Sequence, residues 1–307
     1  RWASRALASR IFGTAIWQAR IRSAFMPLFL IESPNVPKIR DASARDAHLE
    51  NLARLIAANA SPCAQDVIVL PELSSIEYSD DAFDRLALLE EPLQGPSFRR
   101  FSELAAKLRT TIVYGFPRRG ENGRHICQAA VGPDGRLLGW YDKLHIAQFG
   151  ASAEAAHFQP GDKLFVFEVA GFKLAPMICY DIRFADLAAR LAAEGVDVVL
   201  QSGAYYRDVS FHSWRPFVVT RAIENSVAWL GLNRAGENWG GSIWCPGYAD
   251  DQTPEDVLGR EETFWRVELP ANFKASAASR LPFQRDRRND YSQLSVAVIP
   301  EKDAAHE

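Results

Sequence analysis

Phe172-Lys-Leu-Ala-Pro-Met-Ile-Cys-Tyr-Asp-Ile-Arg-Phe184, followed by Val196-Asp-Val-Val-Leu200, is the stretch on which the fold turns. An apolar run stops at Cys179, a helical segment covers Phe184–Glu194, and a second apolar run begins at Val196. Runs this continuous, matched by Val67-Ile-Val-Leu70, belong to strands buried on both faces, and such strands require mixed sheets covered by helices. The fold class is α/β.

Outward from there the chain alternates short strands with amphipathic helices. A strand is expected over Met26–Glu32, and a helix over Ala44–Ala60 with Leu49, Leu52, Ala53 and Ile56 on one face. Strand Asp66–Leu70, helix Ser97–Leu108 and strand Thr111–Phe116 follow. Gly132-Pro-Asp-Gly135 turns Ile126–Val131 into Leu137–Tyr141 as a hairpin, and Gly171 closes a second one between Lys163–Val169 and Phe172–Ile178. Then come strand Val196–Gln201, helix His212–Asn225, strand Val227–Asn233 and the strand-like stretches Phe264–Leu269 and Leu294–Ile299. No linker or repeat divides residues 26–307, which read as one domain. Residues 1–25 carry five arginines and no acidic residue, a composition resembling a transit peptide; they read as an extension outside the fold.

Composition excludes several classes. The 307 residues are 48% hydrophobic, and 35 basic against 38 acidic residues leave a net charge of −3 with no basic stripe for a nucleic acid. The longest apolar run, Ala24–Ile31, is too short to span a bilayer, so no membrane partner is expected. Cys63, Cys127, Cys179 and Cys245 form no CxxC pair and the histidines no metal-ligand spacing, which leaves no metal site and a reducing, cytoplasmic compartment as the default. Gly-rich phosphate cradles and the G-x-S-x-G elbow are absent.

Three polar residues stand where buried strands end, the place where α/β folds carry their sites: Glu72, Lys143 and Cys179. A cysteine between a strand and a helix N-terminus sits beside backbone N–H groups that favour thiolate. A carboxylate to take its proton and an ammonium to receive an oxyanion would complete an acyl-transfer site. Singly, each has a plainer reading: a solvated cap, a surface charge, a small buried hydrophobe.

Together, Leu70-Pro-Glu72, Tyr141-Asp-Lys-Leu-His145 and Ile178-Cys-Tyr-Asp-Ile-Arg-Phe184 resemble the three signature segments of the nitrilase, or carbon–nitrogen hydrolase, superfamily, in the same order. Pro160-Gly-Asp162, His212-Ser-Trp214 and Arg221-Ala-Ile-Glu-Asn225 agree with it. The resemblance implies a four-layer α-β-β-α sandwich and a triad of Glu72 as base, Lys143 as oxyanion donor and Cys179 as nucleophile. It also implies that the Tyr180 N–H shares the oxyanion hole and that no cofactor is used. Glu154 occupies the place of a second active-site glutamate, against the alternative of a carboxylate in a mobile loop. Two carboxylates near Lys143 would keep it charged. Tyr205 and Tyr206 are candidates for the substrate pocket.

Lesser expectations concern the surroundings. His145 reads as a packed, hydrogen-bonded residue sharing a strand face with Lys143, and Asp181 with Arg183 as a structural ion pair. Cys63, Cys127 and Cys245 read as inert. The stretch 240–255 reads as a wet loop at the pocket rim, and Trp244 within it and Trp239 just before it are candidates to narrow the pocket. Within the superfamily the segments look closest to amidases acting on omega-amides of dicarboxylic acids, such as 2-oxoglutaramate, with Arg183, Arg207 and Arg215 as candidate carboxylate clamps. The alternatives are an N-carbamoyl amine amidohydrolase, a nitrilase, an acyltransferase, or a non-catalytic member of the fold. The expected partners are a small-molecule amide and a second copy of the chain. That copy would pair through Phe184–Glu194 and His212–Asn225, with Phe211, Trp214 and Phe217 as interface or core.

Overall fold

The computed structural model describes residues 28–150, 152–269 and 273–297. Residues 1–25 and the first residues of the expected strand at Met26 lie outside them. Two six-stranded sheets lie face to face, in the orders β12-β1-β2-β3-β4-β5 and β11-β10-β9-β8-β7-β6. In the first, β1 (Leu28–Ser33), β2 (Val67–Val69) and β3 (Thr111–Gly120) are parallel. β4 (Gly123–Val131), β5 (Leu137–Asp142) and β12 (Thr263–Glu268) add antiparallel edges. In the second, β7 (Phe172–Ile178), β8 (Val198–Ser202) and β9 (Ala228–Leu232) are parallel. β6 (Phe167–Val169), β10 (Ile243–Pro246) and β11 (Asp256–Val257) flank them antiparallel. Each sheet thus has a parallel centre whose strand ends point the same way.

Strand alternation assigns the layers. Val67 and Val69 of β2 meet Val198, Leu200, Leu230 and Trp244 in the core between the sheets. Ile68 and Leu70 face outward onto Leu49, Leu52, Ala53 and Ile56 of α1 (Ala42–Asn59) and Phe101, Leu104 and Leu108 of α4 (Pro96–Leu108), the short helices α2 (Asp80–Asp84) and α3 (Leu86–Leu89) coming between them in sequence. On the far side, Val199 and Trp229 pack under Leu187 and Leu191 of α5 (Ala185–Ala193) and Trp214, Val218 and Ala222 of α6 (Trp214–Asn225). Strands with no wet face are apolar on both sides, which is why their sequences read as continuous runs. The result is the four-layer α-β-β-α sandwich. Among the described residues no helix is long and apolar enough to cross a membrane.

Several expectations need correction. Lys163–Val166 precedes β6 without joining it, and Leu294–Ala297 forms no strand: Leu294 and Val296 lie exposed and belong to neither sheet, and Val298–Ile299 fall outside the described residues. The 240–255 stretch is not a wet loop throughout, since Ile243–Pro246 is the buried strand β10 and Trp244 belongs to the core between the sheets. Trp214 is also core, while Phe211 and Phe217 pack partly buried against it. The hairpin at Gly171 forms as expected, with Ala170 and Gly171 both at positive φ, the backbone of a tight two-residue turn.

Candidate active site

Glu72, Lys143, Glu154 and Cys179 converge at the ends of the parallel strands, all buried. Glu72 leaves β2 through Leu70-Pro71 and stands before Leu73, whose φ of 47° is left-handed. A Cβ on Gly115 of β3 would come within 2.6 Å of Leu73 N and Pro71 O, so glycine there lets the turn press against the sheet. Lys143 continues the β4–β5 ladder, its N–H donating to Ile126 O at 2.9 Å, while Gly161 N–H donates to Lys143 O at 2.8 Å. Its backbone is therefore fixed on both sides.

The ammonium sits between two carboxylates. Lys143 Nζ donates to Glu72 Oε1 at 2.9 Å and to Glu154 Oε1 at 2.6 Å. Glu72 Oε2 accepts the Ala204 N–H at 2.7 Å. Glu154 opens a 3-10 turn, Glu154–Ala156, and also accepts from Tyr78 Oη (2.6 Å, on Oε1) and Ala147 N (2.8 Å, on Oε2). A fully buried carboxylate with these donors is no mobile-loop residue. Burial opposes the lysine's charge, yet Glu154 and Glu72 hold its pKa well above the ordinary value. Burial raises the Glu154 pKa, against the pull of Lys143. Tyr78 is raised too, first by burial and then by Glu154.

Cys179 ends β7 and opens the 3-10 turn Cys179–Arg183, with φ at 42°. A non-glycine residue there is strained by an amount on the order of 1–3 kcal/mol and persists only where its surroundings over-determine it. Asp181 does that holding: Oδ2 accepts from Ile178 N (3.2 Å) and Tyr141 Oη (2.8 Å), and Oδ1 from His145 N (2.9 Å) and Nδ1 (2.8 Å). Gln201 Nε2 donates to Cys179 O at 3.0 Å, and Trp229 Nε1 fixes that amide by donating to Gln201 Oε1 at 3.1 Å. The expected thiolate-favouring environment is not found. Helix α5 starts six residues later, and burial, then Glu72, push the Cys179 thiol well above its ordinary pKa, with Lys143 and the Ala204 N–H pulling the other way.

The neighbours sort differently from the sequence reading. Asp181 and Arg183 form no ion pair; Asp181 serves the elbow, while Arg183 Nη2 donates to Tyr205 Oη. His145 is packed as expected, stacked 3.6 Å from Phe184, but lies past the end of β5 and shares no strand face with Lys143. Tyr180 N–H is a first-turn donor, a position with no acceptor inside its own turn, and its ring packs on Phe184 and Phe149. Tyr205 is buried against Trp214, and Tyr206 meets Trp239 edge-on. Cys127 and Cys245 are buried, and burial raises both thiols. Among the described residues no cluster of three or more His, Cys, Asp or Glu could hold a metal.

Sequence reading missed Tyr78, the Ala204 N–H and Arg234. Tyr78 follows Glu72 by six residues across a turn whose course no local pattern reveals. Arg234 had a readable signal: a charge just past the wholly buried strand β9.

A family model described as carbon–nitrogen hydrolase matches residues 14–257. The chain is 27% identical over 256 residues to an omega-amidase of Xenopus tropicalis, covering 80% of this chain and 91% of the relative. It is 28% identical over 254 residues to an omega-amidase of Danio rerio, at 80% and 91% coverage. Among solved structures, a CN-hydrolase superfamily protein of Xanthomonas campestris with an arsenic adduct in its active site superposes with TM-score 0.71 at 23% identity, over 86% of this chain and 98% of that one. A carbon–nitrogen hydrolase of Helicobacter pylori gives 0.71 at 19% identity, over 88% and 98%.

Proposed function

Because the chain belongs to the carbon–nitrogen hydrolase family, we propose that it hydrolyses a linear amide through a Cys179 thioester, with Glu72 and Lys143 completing the triad and Glu154 supporting the lysine. The observation that carries this is the fully buried Lys143 ammonium, bonded to Glu72 and Glu154 beside the Cys179 thiol. A structural role alone would leave a costly buried cluster unexplained.

At rest the raised thiol is neutral, so the nucleophile forms only as Glu72 takes its proton. Sulfur then bonds to the amide carbon, and the carbonyl electron pair moves onto oxygen, which meets Lys143 Nζ and the Tyr180 N–H. Losing one such donor costs about 2.7–4 kcal/mol of transition-state stabilisation. Collapse breaks the C–N bond while Glu72 returns the proton to nitrogen, releasing ammonia. Water attacks the thioester with Glu72 again as base, and carboxylic acid and thiol are restored.

The substrate is an omega-amide of a dicarboxylic acid. Of the three candidate clamps, Arg215 is engaged with Glu255, and Arg207 donates to Trp239 O over the Phe211 ring. Arg183, four residues past Cys179, has a buried Nε with no hydrogen bond among the described residues, and four aromatic rings surround its guanidinium. Its Nη2 is bonded to Tyr205 Oη, a neutral partner, so its charge is not matched by a carboxylate among the described residues and can meet the distal carboxylate of the substrate. The test is ammonia release from 2-oxoglutaramate, succinamate, N-carbamoyl-β-alanine and simple nitriles, with Cys179→Ala alongside. Omega-amide turnover that vanishes in the variant is expected; turnover surviving it would sink the triad.

A further inference from the structure

Arg234 is a buried guanidinium, only 2% exposed, that meets no carboxylate at bonding distance among the described residues. It follows β9 and Asn233, whose side chain ties the backbone of Tyr205 and Gly240. Its Nη2 donates to Glu72 O at 2.8 Å, Leu73 O at 2.8 Å and Ile76 O at 2.9 Å. All three acceptors belong to the left-handed turn that aims the Glu72 carboxylate. Three carbonyls converging on one nitrogen would be an ordinary structural clamp if that nitrogen were neutral. Here it carries a charge that burial makes expensive, and the guanidinium Nε has no hydrogen bond among the described residues.

The charges around it explain why a cation is kept there. Glu72 and Glu154 are two buried anions facing one buried ammonium, Lys143. Arg234 brings the cluster to zero. The other groups facing Arg234 do not supply or cancel that charge: Glu77 is bound to Arg85, His48 on α1 is pushed toward its neutral form by burial, and Tyr78 and Cys179 are held protonated. Moving a proton from Cys179 to Glu72 keeps the total at zero, so a thiolate forms without leaving net charge in a site that excludes water.

We propose that Arg234 is a positioning residue that fixes the Glu72 turn through its three carbonyls and supplies the second buried positive charge that keeps the cluster neutral, with Glu154 ionised, whichever of Glu72 and Cys179 holds the proton they share. The proposal rests on Glu72 acting as the base toward Cys179.

Its test needs no amide substrate: the rate of Cys179 alkylation by iodoacetamide is followed against pH by mass spectrometry in the full chain, with Cys179→Ala as blank. Arg234→Met removes the charge and is expected to move the acid limb of the profile upward by about one pH unit and to slow the plateau about tenfold. Arg234→Lys keeps a charge and is expected to hold the limb near the wild-type position. A Met variant that melts earlier but alkylates with the wild-type limb overturns the proposal and leaves Arg234 structural. If the Met variant does not fold, the comparison passes to Arg234→Lys and Arg234→Gln, which both carry donors for the turn. Equal limbs in those two overturn it as well. Because the readout is alkylation, a silent amide panel and a failed Arg234 comparison are separate results.

Discussion

The turn after Glu72 and the elbow at Cys179 both leave a buried parallel strand through a left-handed residue, Leu73 at 47° and Cys179 at 42°. They are held differently. The elbow is organised by a carboxylate of its own motif: Asp181, two residues past the cysteine, accepts from the backbone of Ile178 and gathers Tyr141 and His145 onto itself, while Gln201 holds the Cys179 carbonyl. The Glu72 turn is tied from far along the chain, by Arg234, by His48 Nε2 against Ser74 O at 3.0 Å, and by Ser74 Oγ bonded to Gly115 of β3. A nucleophile needs a fixed backbone, which one carboxylate within its own motif can organise. A general base must also share its pocket's charge balance, which groups from several strands must set.

Lys143→Met removes the group to which both regions answer, and the largest effect is expected there. Two buried carboxylates would lose their common cation, costing about 3–5 kcal/mol of stability and at least about a thousandfold in turnover. The pH window in which stability is lost should also move, from the alkaline range down to the carboxyl range. In the wild type the Lys143 pKa is raised, so its contribution is fully present at neutral pH and lost only as pH rises through that elevated value. In the variant, burial would hold both carboxyl groups above their unfolded values, giving stability that is present at low pH and lost as pH rises. Denaturation at about pH 5 and about pH 8 checks this: a variant more stable at the higher pH would contradict the buried-charge account.

Asp181→Asn probes the locally built elbow. An amide nitrogen cannot accept, so at least one of the four donors to Asp181 is stranded, at a cost of about 1–3 kcal/mol. Alkylation of Cys179 should slow and turnover fall about tenfold or more, because the strained φ loses its clamp. Lys143 and its carboxylates touch none of these donors, so the acid limb of kcat/KM should stay in place. A shifted limb would mean that the two regions are not separable.

The same contrast explains what was legible in the sequence. The α/β class was readable because strands without a wet face are apolar throughout, the four-layer sandwich only through the resemblance of the three signature segments, and the elbow because Cys179, Asp181 and Arg183 lie within one motif. Even there, the Asp181–Arg183 ion pair was misplaced, since adjacency in sequence says nothing about Tyr141 and His145 arriving from another strand end. Tyr78 was not legible, and Arg234 was legible only as a charge past a buried strand, not as a partner of Glu72: Arg234 reaches Glu72 across 162 residues, and Tyr78 reaches Glu154 across 76. The expected thiolate failed for a related reason, because local backbone geometry was weighed and the burial created by two packed sheets was not.

Tyr78→Phe isolates one long-range tie with little risk to folding. The hydroxyl donation to Glu154 favours the ionised carboxylate, so removing it should raise a Glu154 pKa that burial already holds up. The acid limb of kcat/KM should move upward by less than about one pH unit, and the plateau fall severalfold. An unmoved limb would separate Glu154 ionisation from turnover.

Trp229→Phe should give the smallest effect and offers the finest distinction. The indole N–H only orients Gln201, whose other end donates to Cys179 O, so its loss removes one neutral hydrogen bond worth about 0.5–1.5 kcal/mol. The smaller ring also leaves space in the α5–α6 layer, which lowers the melting temperature whether or not the elbow is affected. Stability alone therefore cannot report on the tie, but alkylation can. If Gln201 swings away, Cys179 should react more slowly at every pH, with the limb unmoved, because no charge has changed. Gln201→Leu should reproduce the slowing with the indole in place. Agreement between the two would show that the elbow, unlike the Glu72 turn, is governed by backbone geometry rather than by charge.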